Sequence, residues 1–269
     1  MVIKVKKRRL IICLALNFLK FMLYFINKSK NMKRILVLSL ESIDRIFKKN
    51  EKTPVKEKGG PAFYIRRTLD DLGAGYRMAE YEPAEVEIRV TEHGEVGKIL
   101  KPGKIKVPER INESNVLIST IGPSNLELDF LVSYTGDVFL DVQGFVRSEK
   151  SEKLGAKETW ENIRLFIENI LVLKGTSEEL CFLPKDVLEK TKGKILLETR
   201  GKNGVVMYEK GRSVNLLPPK IIKARNTVGA GDTFMAAFVY KFIQTKNAKK
   251  AICFALSYTS GFLDKKRIS

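Results

Sequence analysis

Short, mainly apolar runs recur along the chain at Ile35–Leu40, Asn115–Ser119, Asp137–Val142, Ile170–Lys174 and Ile195–Val206. Runs this short and continuous read as strands covered on both faces. Between them lie stretches read as helical or amphipathic: from Gly59–Gly60 to about Leu72–Gly73, between Ser119 and Asp137, Thr159–Ile167, the stretch entered at Gly231 and running past Phe238, and Ala251–Gly261. Strands alternating with helices predict a mostly parallel, doubly wound sheet. From Glu85 to Val107 the period changes to two, with Val86, Ile88 and Val90 set against Glu85, Glu87 and Arg89. That is hairpin patterning; Glu92-His93-Gly94-Glu95 is its turn, and His93 is expected at the surface of the tip.

The 269 residues suffice for one large α/β domain, and charge is what departs from the ordinary: the formal balance is +18. Residues 1–31 hold eight Lys/Arg and no Asp/Glu, so +10 is left for the rest. An apolar run from Leu10 to Ile26 follows the basic start, interrupted by Asn17 and Lys20. It is shorter than the ~20 residues of a span and leads to no small-residue cleavage site. A membrane-associated helix and a signal peptide are two readings of it. The favoured one takes Met32-Lys33-Arg34 before the Ile35 strand as the natural start, with 1–31 as non-native upstream sequence and 32–269 as the domain. Cys13, Cys181 and Cys253 have no metal-ligand spacing and fit buried thiols in a reducing cytoplasm. With His93 the only histidine, a Ser-His-Asp triad or a zinc site is improbable, and carboxylates are the natural acid–base groups. No basic patch interleaved with aromatics suggests nucleic acid.

Candidate chemistry concentrates at Asn226-Thr227-Val228-Gly229-Ala230-Gly231-Asp232-Thr233-Phe234-Met235-Ala236-Ala237-Phe238. Two glycines let the backbone approach a ligand closely, and the first helical turn beyond them leaves N–H groups unpaired, with the positive end of the helix dipole behind them. That combination suits a phosphate. A carboxylate at the same place would repel a phosphate unless it has a proton to take, which suggests phosphoryl transfer to a hydroxyl. The plainer reading has Asp232 as an early-turn acid that only caps the helix.

This run resembles the C-terminal signature of the PfkB, or ribokinase-like, carbohydrate kinases. The resemblance implies a three-layer α/β/α sandwich with a mostly parallel central sheet and a small β lid, here reduced and placed at about 85–107. It implies Asp232 as the base, with the amides of Gly229, Ala230 and Gly231 as the hole for the transferred group. Gly59-Gly60 with Leu72-Gly73 is similar to the N-terminal signature, with Phe63 or Tyr64 in place of its asparagine. Asp44, after the first strand, matches the aspartate that accepts substrate hydroxyls; a solvated loop acid is the alternative. Gln143 and Arg147 in Asp141-Val142-Gln143-Gly144-Phe145-Val146-Arg147 are further substrate contacts, or a surface loop with a paired arginine. Lys174, Thr199, Gly201, Gly204, Asn226 and Thr227 are assigned to the nucleotide. Glu179 would act through water on Mg²⁺, with Thr176 standing where the family has asparagine. The expected activity is ATP-dependent phosphorylation of a sugar, an inositol-like polyol or a nucleoside, in the cytoplasm, by a protein compatible with a homodimer. The inositol-kinase-like branch is the nearest by motif. The alternative is a non-catalytic nucleotide- or sugar-binding module with the same fold.

Overall fold

The computed structural model describes residues 35–47, 53–91, 94–149, 151, 155–191, 194–224 and 226–268. Residues 1–31 and His93, both discussed above, lie outside them. Residues 34–269 form one compact unit. Its frame is an eight-stranded sheet of order β14-β13-β12-β11-β10-β9-β1-β4. Six strands are parallel: β1 (Ile35–Ser39), β4 (Tyr76–Met78), β9 (Asn115–Ser119), β10 (Asp137–Asp141), β11 (Val172–Thr176) and β12 (Ile195–Thr199). β13 (Val205–Glu209) and β14 (Arg212–Leu216) extend it antiparallel.

Alternation along the strands sends successive residues to opposite faces, and each face has its own core. Ile35, Val37, Leu117, Phe139 and Val172 pack with α1 (Pro61–Asp71), α5 (Ala230–Thr245) and α6 (Ala248–Ile268). Leu36, Leu38, Val116, Ile118, Leu140 and Leu173 pack with the other layer, which carries the short helices α2 (Ile163–Phe166), α3 (Ser177–Leu180) and α4 (Lys185–Lys190). The result is the three-layer sandwich that the resemblance implies. On α5, Phe234, Phe238 and Phe242 follow one another at four-residue spacing with rings stacked, and Phe139 of β10 meets the last two edge-on. Burying each ring is worth about 1.5–3 kcal/mol, so this row fixes α5 and the start of the helix with it.

A smaller sheet of order β3-β2-β6-β7 joins β2 (Ser42–Phe47) and β3 (Val55–Gly59) to β6 (Ala84–Thr91) and β7 (Gly94–Lys101). The hairpin expected from period-two patterning is β6–β7, and β5 (Glu80–Glu82) with β8 (Lys104–Lys106) makes a separate ribbon. Glu41–Asp44 follows the end of the first strand, where a solvated loop acid was the alternative for Asp44. Instead the chain re-enters a strand at Ser42, because β3 and β6 supply backbone partners on either side. The Thr159–Ile167 helix is cut to the single turn of α2 followed by a 3-10 turn, and 3-10 turns also replace the amphipathic stretch before β10. Cys181 and Cys253, expected to be buried, are exposed. Cys253 falls between the inward-facing Ile252 and Ala255 on α6, and Cys181 follows the end of α3. Among the described residues no helix is long and apolar enough to cross a membrane.

Candidate active site

The carboxyl ends of the parallel strands are polar where their middles are apolar. Ser39, Ser119 and Asp141 are buried at those ends, Thr176 and Thr199 close β11 and β12 half-buried, and Lys174 is buried two residues inside β11. Open α/β sheets bind ligands at this edge. The hydroxyls of Ser39, Thr120 and Thr233 are buried here without a hydrogen-bond partner. Buried polar atoms are rarely left so, and their number at this edge marks it as a place for a polar ligand.

Gly229 opens α5 in the left-handed region, with φ of 81°. Only glycine fits there twice over: the backbone favours it, and a Cβ would overlap the ring of Tyr64. The turn is closed by Ala230 N–H donating to Thr227 O at 3.0 Å, and Thr233 N–H donates to Gly229 O at 2.9 Å. The Asn226 side chain accepts from Val228 N–H at 2.8 Å, which makes Asn226 and Thr227 parts of the turn itself. Ala230 was expected among the anion-binding amides, but its N–H is already committed. Among the described residues the N–H groups of Gly229, Gly231 and Asp232 have no backbone partner and are the donors this end offers.

Asp232 accepts a hydrogen bond from Ser119 Oγ at 3.3 Å. Burial first and the charge of Asp141 second push its carboxyl up to about 6, against the opposing pull of Lys174, Ser119 and Arg147. Behind it, Lys174 Nζ is bonded to Asp141 at 2.6 Å, with both side chains shut away from solvent. Burial alone would lower the lysine, yet the carboxylates of Asp141, Glu179 and Asp232 outweigh it and hold Lys174 above the ordinary lysine range. Its ammonium lies 3.1 Å from where a Cβ on Gly231 would stand, directly behind the free amides. Arg147 donates to Ile121 O at 2.9 Å; burial pulls its guanidinium down, while Glu179, Asp232 and Asp141 raise it. The arginine therefore belongs to this cluster and not to a surface ion pair.

Gln143 holds the same loop through its N–H, which donates to Asp141 at 3.2 Å. Glu179 is buried in a capping box, accepting from Thr176 N–H at 2.7 Å while its own N–H donates to Thr176 Oγ1 at 3.2 Å. Threonine in place of asparagine thus caps α3. Among the described residues no group of three or more His, Cys, Asp or Glu could hold a metal ion. Those residues therefore offer no cluster of three side chains to a directly bound metal.

Asp44 stands on β2 of the smaller sheet and accepts from Ser42 Oγ at 2.6 Å. Burial raises its carboxyl, Glu57 adds to that, and the Ser42 bond opposes it. Gly59 lies against it, where a side chain would collide with the carboxylate, and Gly60 begins α1. Tyr64 bridges the two halves of the site. Burial first, then the charges of Asp232, Asp44 and Glu57, push its phenol above the ordinary range. Thr199 donates to Gly175 O at 3.3 Å, and Gly201 and Gly204 shape the turn from β12 into β13. Among the described residues no hydrogen bond joins these three to Asp232, Lys174 or Arg147. Sequence reasoning passed over Ser119, Asp141 and Tyr64 as site residues. The available signal was a polar residue closing each apolar run.

Residues 158–260 match the model of the pfkB family carbohydrate kinases. No curated protein matches the sequence. Several solved structures share the fold. A pyrophosphate-dependent kinase of the ribokinase family, complexed with a pyrophosphate analog and myo-inositol, superposes with a TM-score of 0.64 at 19% identity, covering 86% of this chain and 94% of that one. The nucleoside kinase of Methanocaldococcus jannaschii, an archaeal ribokinase-family member, gives 0.64 at 19% identity over 87% and 92%. The ribokinase of Arabidopsis thaliana, complexed with ribose and ATP, gives 0.63 at 18% over 86% and 93%. The family match bears out the resemblance carried by Asn226–Phe238 and, with it, the class of enzyme, a carbohydrate kinase. The fold is that of the ribokinase-like kinases.

Proposed function

We propose that the protein transfers a terminal phosphoryl group from ATP or a simpler polyphosphate to a hydroxyl of a sugar, an inositol-like polyol or a nucleoside. One observation carries this reading: a carboxyl held at about 6 stands at the head of α5, beside amides with no partner and in front of a buried ammonium. The acceptor oxygen attacks the terminal phosphorus as Asp232 takes its proton, and the bond from phosphorus to the bridging oxygen breaks, leaving the shortened donor with the electron pair. The N–H groups of Gly229, Gly231 and Asp232 meet the charge that develops on the transferred group, and Lys174 and Arg147 add fixed positive charge behind it. Asp44 orients the acceptor by accepting from its other hydroxyls, and Gln143 borders the same space. Glu179 would hold a magnesium ion only through water, and the ion would supply neutralisation of phosphate charge there. Thr199, Gly201 and Gly204 are assigned to the nucleotide by motif, with their place at the β12–β13 turn as the support.

Release of ADP from ATP and of orthophosphate from pyrophosphate, each measured over a panel of sugars, polyols including myo-inositol, and nucleosides, tests the reading. Transfer that Asp232→Asn abolishes supports it. Failure on every donor and acceptor class leaves a binding module.

A further inference from the structure

The turn that presents the free amides has little packing of its own, since the Val228 side chain is half exposed. It is held from behind. Lys266, in the last turns of α6, donates from Nζ to Val228 O at 2.8 Å. The same ammonium lies 5.2 Å from the ring centre of Tyr64 and 5.0 Å from that of Phe262, whose rings meet edge to face at 6.1 Å. The Tyr64 ring in turn lies against Gly229, filling the space where a side chain would be.

Val228 C=O and Gly229 N–H belong to one planar peptide unit and point in opposite directions across it. A cation on the oxygen pins that plane, so the N–H on the far side faces a bound anion. It also draws electron density toward the oxygen and makes the N–H a stronger donor, the cooperative strengthening expected of linked hydrogen bonds at low dielectric. We infer that Lys266 and Tyr64 are positioning residues: Lys266 sets and polarises the Val228–Gly229 peptide, and Tyr64 limits how far the turn can move. The inference rests on the phosphoryl-transfer reading of the turn and places part of its control at the end of the last helix, well outside the signature sequence.

Three variants test it: Lys266→Met, which keeps length and loses charge; Lys266→Arg, which keeps a cationic donor; and Tyr64→Ala, which removes the ring. For each, binding of pyrophosphate and of ATP is measured by calorimetry, kcat and acceptor KM by transfer assay, and Tm on the same samples. Lys266→Met should weaken binding of the donor and lower kcat by about 10- to 100-fold, the scale for a misplaced catalytic group. Acceptor KM should stay within about twofold in Lys266→Met, Lys266→Arg should recover most of the loss, and Tyr64→Ala, which empties the space against Gly229, should weaken donor binding by about as much as Lys266→Met; unchanged donor binding in Tyr64→Ala overturns the role of Tyr64. Unchanged donor binding and kcat in Lys266→Met overturn the inference. So does a loss that tracks a lowered Tm and is not recovered by arginine. A parent protein that binds donor and transfers to no acceptor sinks the kinase reading alone, since the binding arm still decides the role of Lys266. A parent that binds neither donor sinks both.

Discussion

Lowering the pH from 7 to 5 should reduce turnover about tenfold, because the carboxyl proposed to take the acceptor's proton is held at about 6. Such a group is about nine-tenths ionised at pH 7 and about one-tenth at pH 5, whereas an aspartate at the ordinary 3.8 is over about nine-tenths ionised at both. Asp141 is the second cause of the shift, so Asp141→Asn should carry the acid limb to lower pH. It also leaves the Lys174 ammonium buried without its partner, at about 3–5 kcal/mol of stability. Turnover at saturating acceptor from pH 5 to 8, with melting curves on the same samples, reads both effects. Stability carries its own sign: a carboxyl raised by folding binds its proton more tightly in the folded state, so stability falls as pH rises from the ordinary 3.8 to about 6. Asp232→Asn should flatten that slope, hold or raise the melting temperature at pH 8, and lose roughly 10²–10⁴-fold in turnover. A profile level from pH 7 to 5, or an Asp232→Asn protein that still transfers, refutes the assignment of the base.

Arg147→Ala should lower kcat or raise acceptor KM by about tenfold or more, while its lost bond to Ile121 O removes about 1.5–3 kcal/mol of stability; steady-state kinetics beside a melting curve separates the two. Gly229→Ala should strain the turn by about 1–3 kcal/mol and push Tyr64 aside, with transfer falling at least as far as in Lys266→Met; a fully active Gly229→Ala protein would remove the turn from the mechanism. Glu198, held down to about 2 chiefly by Arg200 and also by Ser177 and Tyr208, contributes stability that is present above the ordinary 4.5 and lost as pH falls through about 2. Glu198→Gln should therefore melt lower at neutral pH and lose less than the parent on acidification, as thermal melts from pH 2 to 5 would show.

The large sheet could be read from the chain because its central strands are buried on both faces, so Val116-Leu117-Ile118 and Val138-Phe139-Leu140 are apolar at every position. The start of α5 could be read because its glycines and its acid are consecutive. The smaller sheet was only half legible. β6 alternates as an exposed hairpin strand should, but Ser42-Ile43-Asp44-Arg45 is held in a strand by partners distant in sequence, and Lys56-Glu57-Lys58 carries no apolar signal. The same distance hid the site's second layer. Ser119 and Asp141 end separate strands, Lys174 lies within a third, and they meet only when those strands lie side by side. Lys266 reaches Val228 across 38 positions of chain, a separation at which residue spacing says nothing about contact.

The parallel pairing of β2 with β6 has a consequence for how the molecule comes apart. Between those two strands the chain must run through β3, α1, β4 and β5, so it passes into the large sheet at β4 before it returns. The smaller sheet is therefore not an inserted cassette with one point of entry and one of exit. It cannot be cut out as a contiguous piece without taking β4 with it, and the β6 side of the strand that carries Asp44 is reached only by way of the edge of the large sheet. Loosening that edge at β4 would slacken the β6 side of the strand that carries Asp44.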